Sequence, residues 1–207
     1  MIVPKPTKAK RKINSRDIEL LFELGSLRNV QRLWRQHFGM DVANDLEHTV
    51  RVIWIALLIA RLEGINSDEK IVTMGLLHDI AESRTVDHGH VHKAYVISDE
   101  ERAAHDMFQG TNLGDLERLL NEYKERQSLE AKIVKDADNL DVDFELRELA
   151  SRGSTLPKKW LKGRKIIRNR KLYTKSAKQI WDLLQKSDSD TWHINANTWL
   201  RRPKAGR

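Results

Sequence analysis

Residues 44–64, NDLEHTVRVIWIALLIARLEG, decide the fold. Asn44 with Glu47 three positions later forms a capping box, in which each side chain bonds the other residue's backbone N–H and so starts a helix. The helix runs through Val50, Ile53, Leu57 and Leu58 to Gly64, a residue suited to the left-handed position just past a helix end. Apolar side chains surround its second half on every side, which predicts a central, buried helix. One turn into it stands His48, an ionisable ring where a core is expected.

The flanking sequence is helical too. Ser15 is placed to cap a helix through Leu20, Leu21 and Leu24 to Gly25, and Leu27, Val30 and Leu33/Trp34 space a second helix over 26–38. Ser67 is expected to cap a helix through Ile71, Met74 and Leu77 to about Ser83. Ser98 with Glu101 suggests another capping box, opening a helix to about Gln109. Two further helices are expected over 112–127 and 129–151, the second ended by Gly153 and Pro157. Residues 84–97 lack helical periodicity and read as a loop. Thr174 to Lys186 forms a last amphipathic helix through Ala177, Ile180, Trp181 and Leu184. The sum is an all-α bundle with no strand. It divides into a basic flexible arm (1–14), a main domain (15–155), and a basic C-terminal extension (156–207) with one helix packing on the bundle.

Of the 207 residues 40% are hydrophobic and 32% charged, too apolar for a disordered chain. The longest apolar run, Val52 to Ala60, is about half of what a bilayer span needs. No leader fits, because residues 1–16 hold six Lys/Arg and lack an apolar segment. With no cysteine there is neither a disulfide framework nor a thiolate site, so a cytoplasmic protein is expected and any metal must be held by His, Asp or Glu. The net charge of +7 is segregated: +6 in residues 1–16, +12 in 158–207, and −11 between. An acidic body with basic ends points to carboxylate chemistry inside and anion contacts at the ends.

Three places put ionisable groups on apolar helices. They are His48; His78-Asp79 with Glu82 in MGLLHDIAE; and the run Asp136, Asp138, Asp141 and Asp143. Buried charges are costly unless paired or bound to a metal, and imidazole with carboxylate oxygen suits a divalent ion when thiols are absent. Periodicity alone does not choose between Asp138 and Asp141.

The ordered set EH, HDIAE and KDAD resembles the HD-domain metal-dependent phosphohydrolases, and within them the branch containing the 5′-deoxynucleotidases. The resemblance covers about Leu20 to Ser151 and implies an HD-domain helical bundle. It implies one divalent metal ion (Mn, Co, Ni, Fe, Zn or Mg) held by His48, His78, Asp79 and Asp138, the last chosen by the branch's K-x-A-D pattern. It implies Glu82 and Asp87 as catalytic acid and base. It also implies Arg32, Trp34 and Lys93 as contacts to nucleotide and phosphate. The activity so implied is removal of the 5′-phosphate of nucleoside or deoxynucleoside monophosphates by metal-activated water, by a protein that acts on a small nucleotide substrate and forms a homodimer. The chain departs from the branch in the loop Asp87-His88-Gly89-His90-Val91-His92, whose alternating histidines suggest either a second ion or a polar loop.

A rival reading, a nucleic-acid-binding or nucleotide-sensing protein on the same scaffold, rests on the pI of 9.6 and the two basic ends. The segment 158–171 interleaves eight Lys/Arg with Trp160, Ile166 and Ile167. It reads as a solvated connection packed on the bundle, or as a clamp for phosphate and base. Trp181, Trp192 and Trp199 are expected to pack internally or between copies. No membrane partner is expected.

Overall fold

Asn14 rather than Ser15 opens the first helix: its side chain accepts from the Asp17 backbone N–H, and Asp17 returns the bond. The computed structural model describes residues 10–196; the first nine residues of the basic arm and Trp199 lie outside them. The chain then forms α1 (Ser15–Ser26), α2 (Arg35–Phe38), α3 (Asp45–Leu62), α4 (Asp68–Leu77), α5 (Glu82–Thr85) and α6 (Glu100–Phe108). After these come α7 (Glu117–Glu125), α8 (Leu129–Ser151), α9 (Leu156–Arg170), α10 (Lys175–Leu184) and α11 (Thr191–Ile194). The fold is all-α, and no strand occurs among the described residues. None of their helices is long and apolar enough to cross a membrane.

The capping box of α3 forms as its sequence dictates, with Glu47 N–H donating to Asn44 and Asn44 N–H to Glu47. α3 packs along α8 and α4, burying Val52, Ala56, Ile59 and Ala60 completely. Ile71 and Met74 of α4 and Ile133, Val134, Ala137 and Leu140 of α8 complete that core. The expectation that α3 is buried on all sides is corrected by a surface stripe at i, i+4 spacing, Val50, Trp54, Leu58 and Leu62, between 51% and 70% exposed.

Three further expectations change. The helix over 26–38 is broken. A single 3-10 turn at Leu27–Asn29 ends in extended Val30, and Gln31 bridges antiparallel to Asn44, so only Arg35–Phe38 is α-helical. That bend brings Arg32 against His48 in the first turn of α3 and seats Trp34 in a cluster with Val42, Leu146 and Leu149. Asp99, not Ser98, caps α6. Finally, the C-terminal extension contributes two helices to the bundle where one was expected: residues 158–171 lie largely within α9, which Pro157 starts rather than excludes. Proline suits the first turn of a helix, where its missing N–H has no partner to lose. Asp136 ties the turn between α9 and α10 to α8, accepting from the backbone N–H groups of Tyr173 and Thr174 at 2.7 and 2.8 Å and from the Thr174 hydroxyl.

Candidate metal centre

Each residue of the centre is placed by a different piece of that scaffold. His48 comes from the first full turn of α3. His78 and Asp79 lie just past the end of α4, and Asp138 projects from the middle of α8. His48, His78, Asp79 and Asp138 each offer a ligand atom, and these atoms all lie within 4.8 Å of one another. His78 Nε2 is 3.0 Å from Asp79 Oδ2, and His48 Nε2 is 3.4 Å from the same oxygen and 3.3 Å from Asp138 Oδ1. The two Nε2 atoms are 3.2 Å apart. His48 and His78 are both buried.

The far nitrogens explain the ring orientations. His78 Nδ1 lies 2.8 Å from the Gly75 carbonyl, and His48 Nδ1 lies 2.5 Å from Asp141 Oδ2. Both oxygens only accept, so each Nδ1 carries the proton and turns Nε2 inward. A ligating histidine is held this way when its other ring nitrogen donates to an oxygen. Asp141 is thus an orienting partner, itself held by Arg51 and by Arg32 at 3.4 Å. Two imidazole nitrogens and two carboxylates converging in a buried pocket fit a divalent cation.

The charges of the pocket follow from its burial. Burial and the neighbouring Arg32 would lower the His48 pKa, but hydrogen bonds to Asp138, Asp141 and Asp79 outweigh them and hold it well above the usual range. Burial would raise Asp138, yet Lys135, 2.5 Å away, together with His48, holds it well below the usual carboxylate range. Asp79 is held low against burial by the His78 charge and by hydrogen bonds from both histidines.

Glu82 goes elsewhere. The chain tightens to i→i+3 bonding after α4, with Glu82 N–H donating to Asp79 at 2.9 Å. The Glu82 carboxyl therefore joins Asp45 and Asp87, whose ligand atoms also lie within 4.8 Å of one another. Both Asp45 oxygens and Glu82 Oε2 are buried without a hydrogen-bond partner among the described residues. Burial, with the charges of Asp79, Asp87 and Asp45, pushes Glu82 up to about 11. Burial, then Asp87 and Asp79, takes Asp45 to about 7. Asp87 is held by Arg32 Nε at 3.2 Å.

Of the substrate contacts expected from sequence, Arg32 and Trp34 reach this network and Lys93 does not. Arg32 is buried between Asp87, Asp141 and the Trp34 ring, its guanidinium carbon 4.9 Å from the ring centroid. Lys93 is exposed on the 3-10 turn His92–Ala94, with no ion pair among the described residues. His88 and His92 stand with ring centroids 6.3 Å apart, and His90 faces His37 at 6.4 Å. The three loop histidines belong to neither cluster. Sequence reasoning passed over Asp45, because an acidic residue in the first turn of a helix is already explained by the helix dipole. Glu145, buried beside Arg32 at 3.8 Å, was hidden among the many acids of α8.

Comparison with known proteins adds three findings. A family model described as an HD domain matches residues 24–181. Among solved structures, the chain is similar to a conserved hypothetical protein from Pyrococcus furiosus (TM-score 0.68, 22% identity, 82% of this chain and 99% of that one). It is also similar to a protein titled a predicted metal-dependent phosphohydrolase from Magnetospirillum magnetotacticum MS-1 (TM-score 0.63, 21% identity, 83% and 93%). No curated protein matches the sequence.

Proposed function

Because the chain belongs to the HD domain family, we propose that it is a metal-dependent phosphohydrolase removing the 5′-phosphate of nucleoside or deoxynucleoside monophosphates. The observation that carries the reading is the convergence of His48, His78, Asp79 and Asp138 on one point, with Arg32, Asp87 and Glu82 beside it. A divalent cation bound there would supply an acidified water and polarise a phosphoryl oxygen.

The remaining work falls to the chain's own groups. Arg32 uses Nε on Asp87 and Nη1 on Asp141, so Nη2 keeps its hydrogens for a non-bridging phosphate oxygen. Its rigid, buried setting fixes the phosphate's orientation at little entropic cost. Glu82 holds and moves the proton. In the metal-free fold it keeps one at neutral pH, and a cation opposing the charge of Asp79 would favour the carboxylate. Glu82 then takes the proton of the attacking water and returns it to the leaving sugar oxygen, with Asp87 sharing the duty. Trp34, buried against Trp160, packs the Arg32 guanidinium in place.

The test is phosphate release from a panel of nucleoside and deoxynucleoside 5′-monophosphates with Mn²⁺, Co²⁺, Ni²⁺, Zn²⁺ and Mg²⁺. The reading predicts cation-dependent turnover that vanishes in Asp79→Ala. Full activity in Asp79→Ala, or no turnover with any cation, would overturn it.

A further inference from the structure

α9 carries charge that the centre does not use. Between Leu156 and Arg170 it has seven Lys/Arg and no acid. Two are engaged internally: Arg164 grips Asp143 at 2.6 and 3.0 Å, and Arg168 grips Asp182. Lys158, Lys159, Lys162, Lys165 and Arg170 are exposed and make no ion pair among the described residues. Lys159 and Arg170, three turns apart, share one face of the helix, and Lys162 flanks it at i+3 from Lys159. Like charges at i+3 repel, and an anionic partner would relieve that repulsion.

The helix is also close to the centre. Trp160 stacks on Trp34 with centroids 6.1 Å apart and planes 28° from parallel, and Arg32 lies over that same Trp34 ring. Beside Trp160 opens a cavity of about 540 Å³ lined by His90, Val142, Lys159, Trp160, Gly163, Arg164 and Ile167. Its size falls in the range of small-ligand sites, about 300–1,000 Å³. Gly163 lines it, and a Cβ placed there would meet nothing within 4 Å.

We propose that α9 and this cavity bind single-stranded nucleic acid, one base entering the cavity against Trp160 and the phosphodiester backbone following Lys159, Lys162 and Arg170 along the same side of the helix. Aromatic stacking beside a basic track is the chemistry by which unpaired strands are held. A duplex offers phosphates but no free base for the cavity. Delivery of a terminal phosphate to the metal centre rests on the phosphohydrolase reading; the binding itself does not.

The probe is a fluorescently labelled ten-residue oligothymidylate with hydroxyl ends, titrated with the full chain and followed by anisotropy. Binding should weaken as salt rises, with a log–log slope of about −3 if four phosphates are neutralised. Lys159→Glu with Arg170→Glu should lower affinity at least tenfold and flatten the slope. Gly163→Leu adds a side chain at the cavity lining, where the Cβ has free space, and favours helix; it should weaken binding while leaving the salt slope unchanged and thermal unfolding no lower. Absence of binding at 50 mM salt, equal binding by these variants, or tighter binding of the equal-length duplex or of phosphatidylserine vesicles would overturn the proposal. Mononucleotide hydrolysis is read on the same preparations. Binding without hydrolysis supports this proposal and sinks the enzymatic one; hydrolysis without binding does the reverse.

Discussion

Asp138 and Asp141 stand three residues apart on one helix and have different duties. Asp138 reaches the point where both Nε2 atoms converge, whereas Asp141 sits behind His48 and fixes its ring. Asp138→Asn should therefore abolish tight cation binding. Asp141→Asn should lower affinity about 10–100-fold while leaving the helix content intact, as loss of an orienting partner does; titration against a chelator of known affinity checks both. The same helix shows how far composition misleads. Asp136 closes a turn and Asp143 anchors Arg164, so of four aspartates in one run only Asp138 contributes to the ligand cluster. Glu82 gives a pH signature. Its pKa is raised in the metal-free fold, so its contribution to stability is complete below the ordinary carboxyl value and is lost as pH rises toward 11. Between pH 7.5 and 9.5 the metal-free protein should lose up to about 1 kcal/mol per pH unit from this group. Urea unfolding of Glu82→Gln should show that slope flattened, and an unchanged slope would contradict the assignment.

Among elements, the contact of α3 with α4 is the tightest constraint on the centre. A Cβ at Gly75 would lie 2.7 Å from Ile53 Cγ1 in α3, and the Gly75 carbonyl orients His78. Gly75→Ala gains about 1 kcal/mol of helix propensity, but overpacking costs about 1–3 kcal/mol. The expected result is a lower melting temperature together with weaker cation binding, read by calorimetry. Some local signals were legible within one element. The capping box of Asn44 and Glu47 and the bounds of α8 could be read directly, and the resemblance carried by the ordered His, His-Asp and Asp positions named the four residues that the fold clusters. The bend at 30–34 was not legible. Leu27, Val30 and Trp34 have helical spacing, but Gln31 is drawn away by a backbone partner across the fold at Asn44. α9 was obscured by its charge, since its apolar positions are few and its Arg164 is neutralised by Asp143 from another helix. The tight turn at 78–81 likewise moved Glu82 from the face of His78 and Asp79 to the side of Asp45, an acid whose place at a helix start concealed it.

For the whole molecule, α3, α4 and α8 meet at the centre, so a cation bound there clamps the bundle. Its binding to the folded chain alone adds about 2.7 kcal/mol at a hundredfold excess over Kd. Chelation should lower the melting temperature and readdition should restore it, while in Asp79→Ala neither treatment should shift it. The most direct measurement is anomalous scattering from crystals grown with Mn²⁺. The account predicts a peak bounded by His48 Nε2, His78 Nε2 and carboxylate oxygens of Asp79 and Asp138, with Asp141 bonded to the back of His48. Crystals that diffract well in millimolar Mn²⁺ with no peak between those four side chains, or with Asp141 as the ligand in place of Asp138, would contradict it.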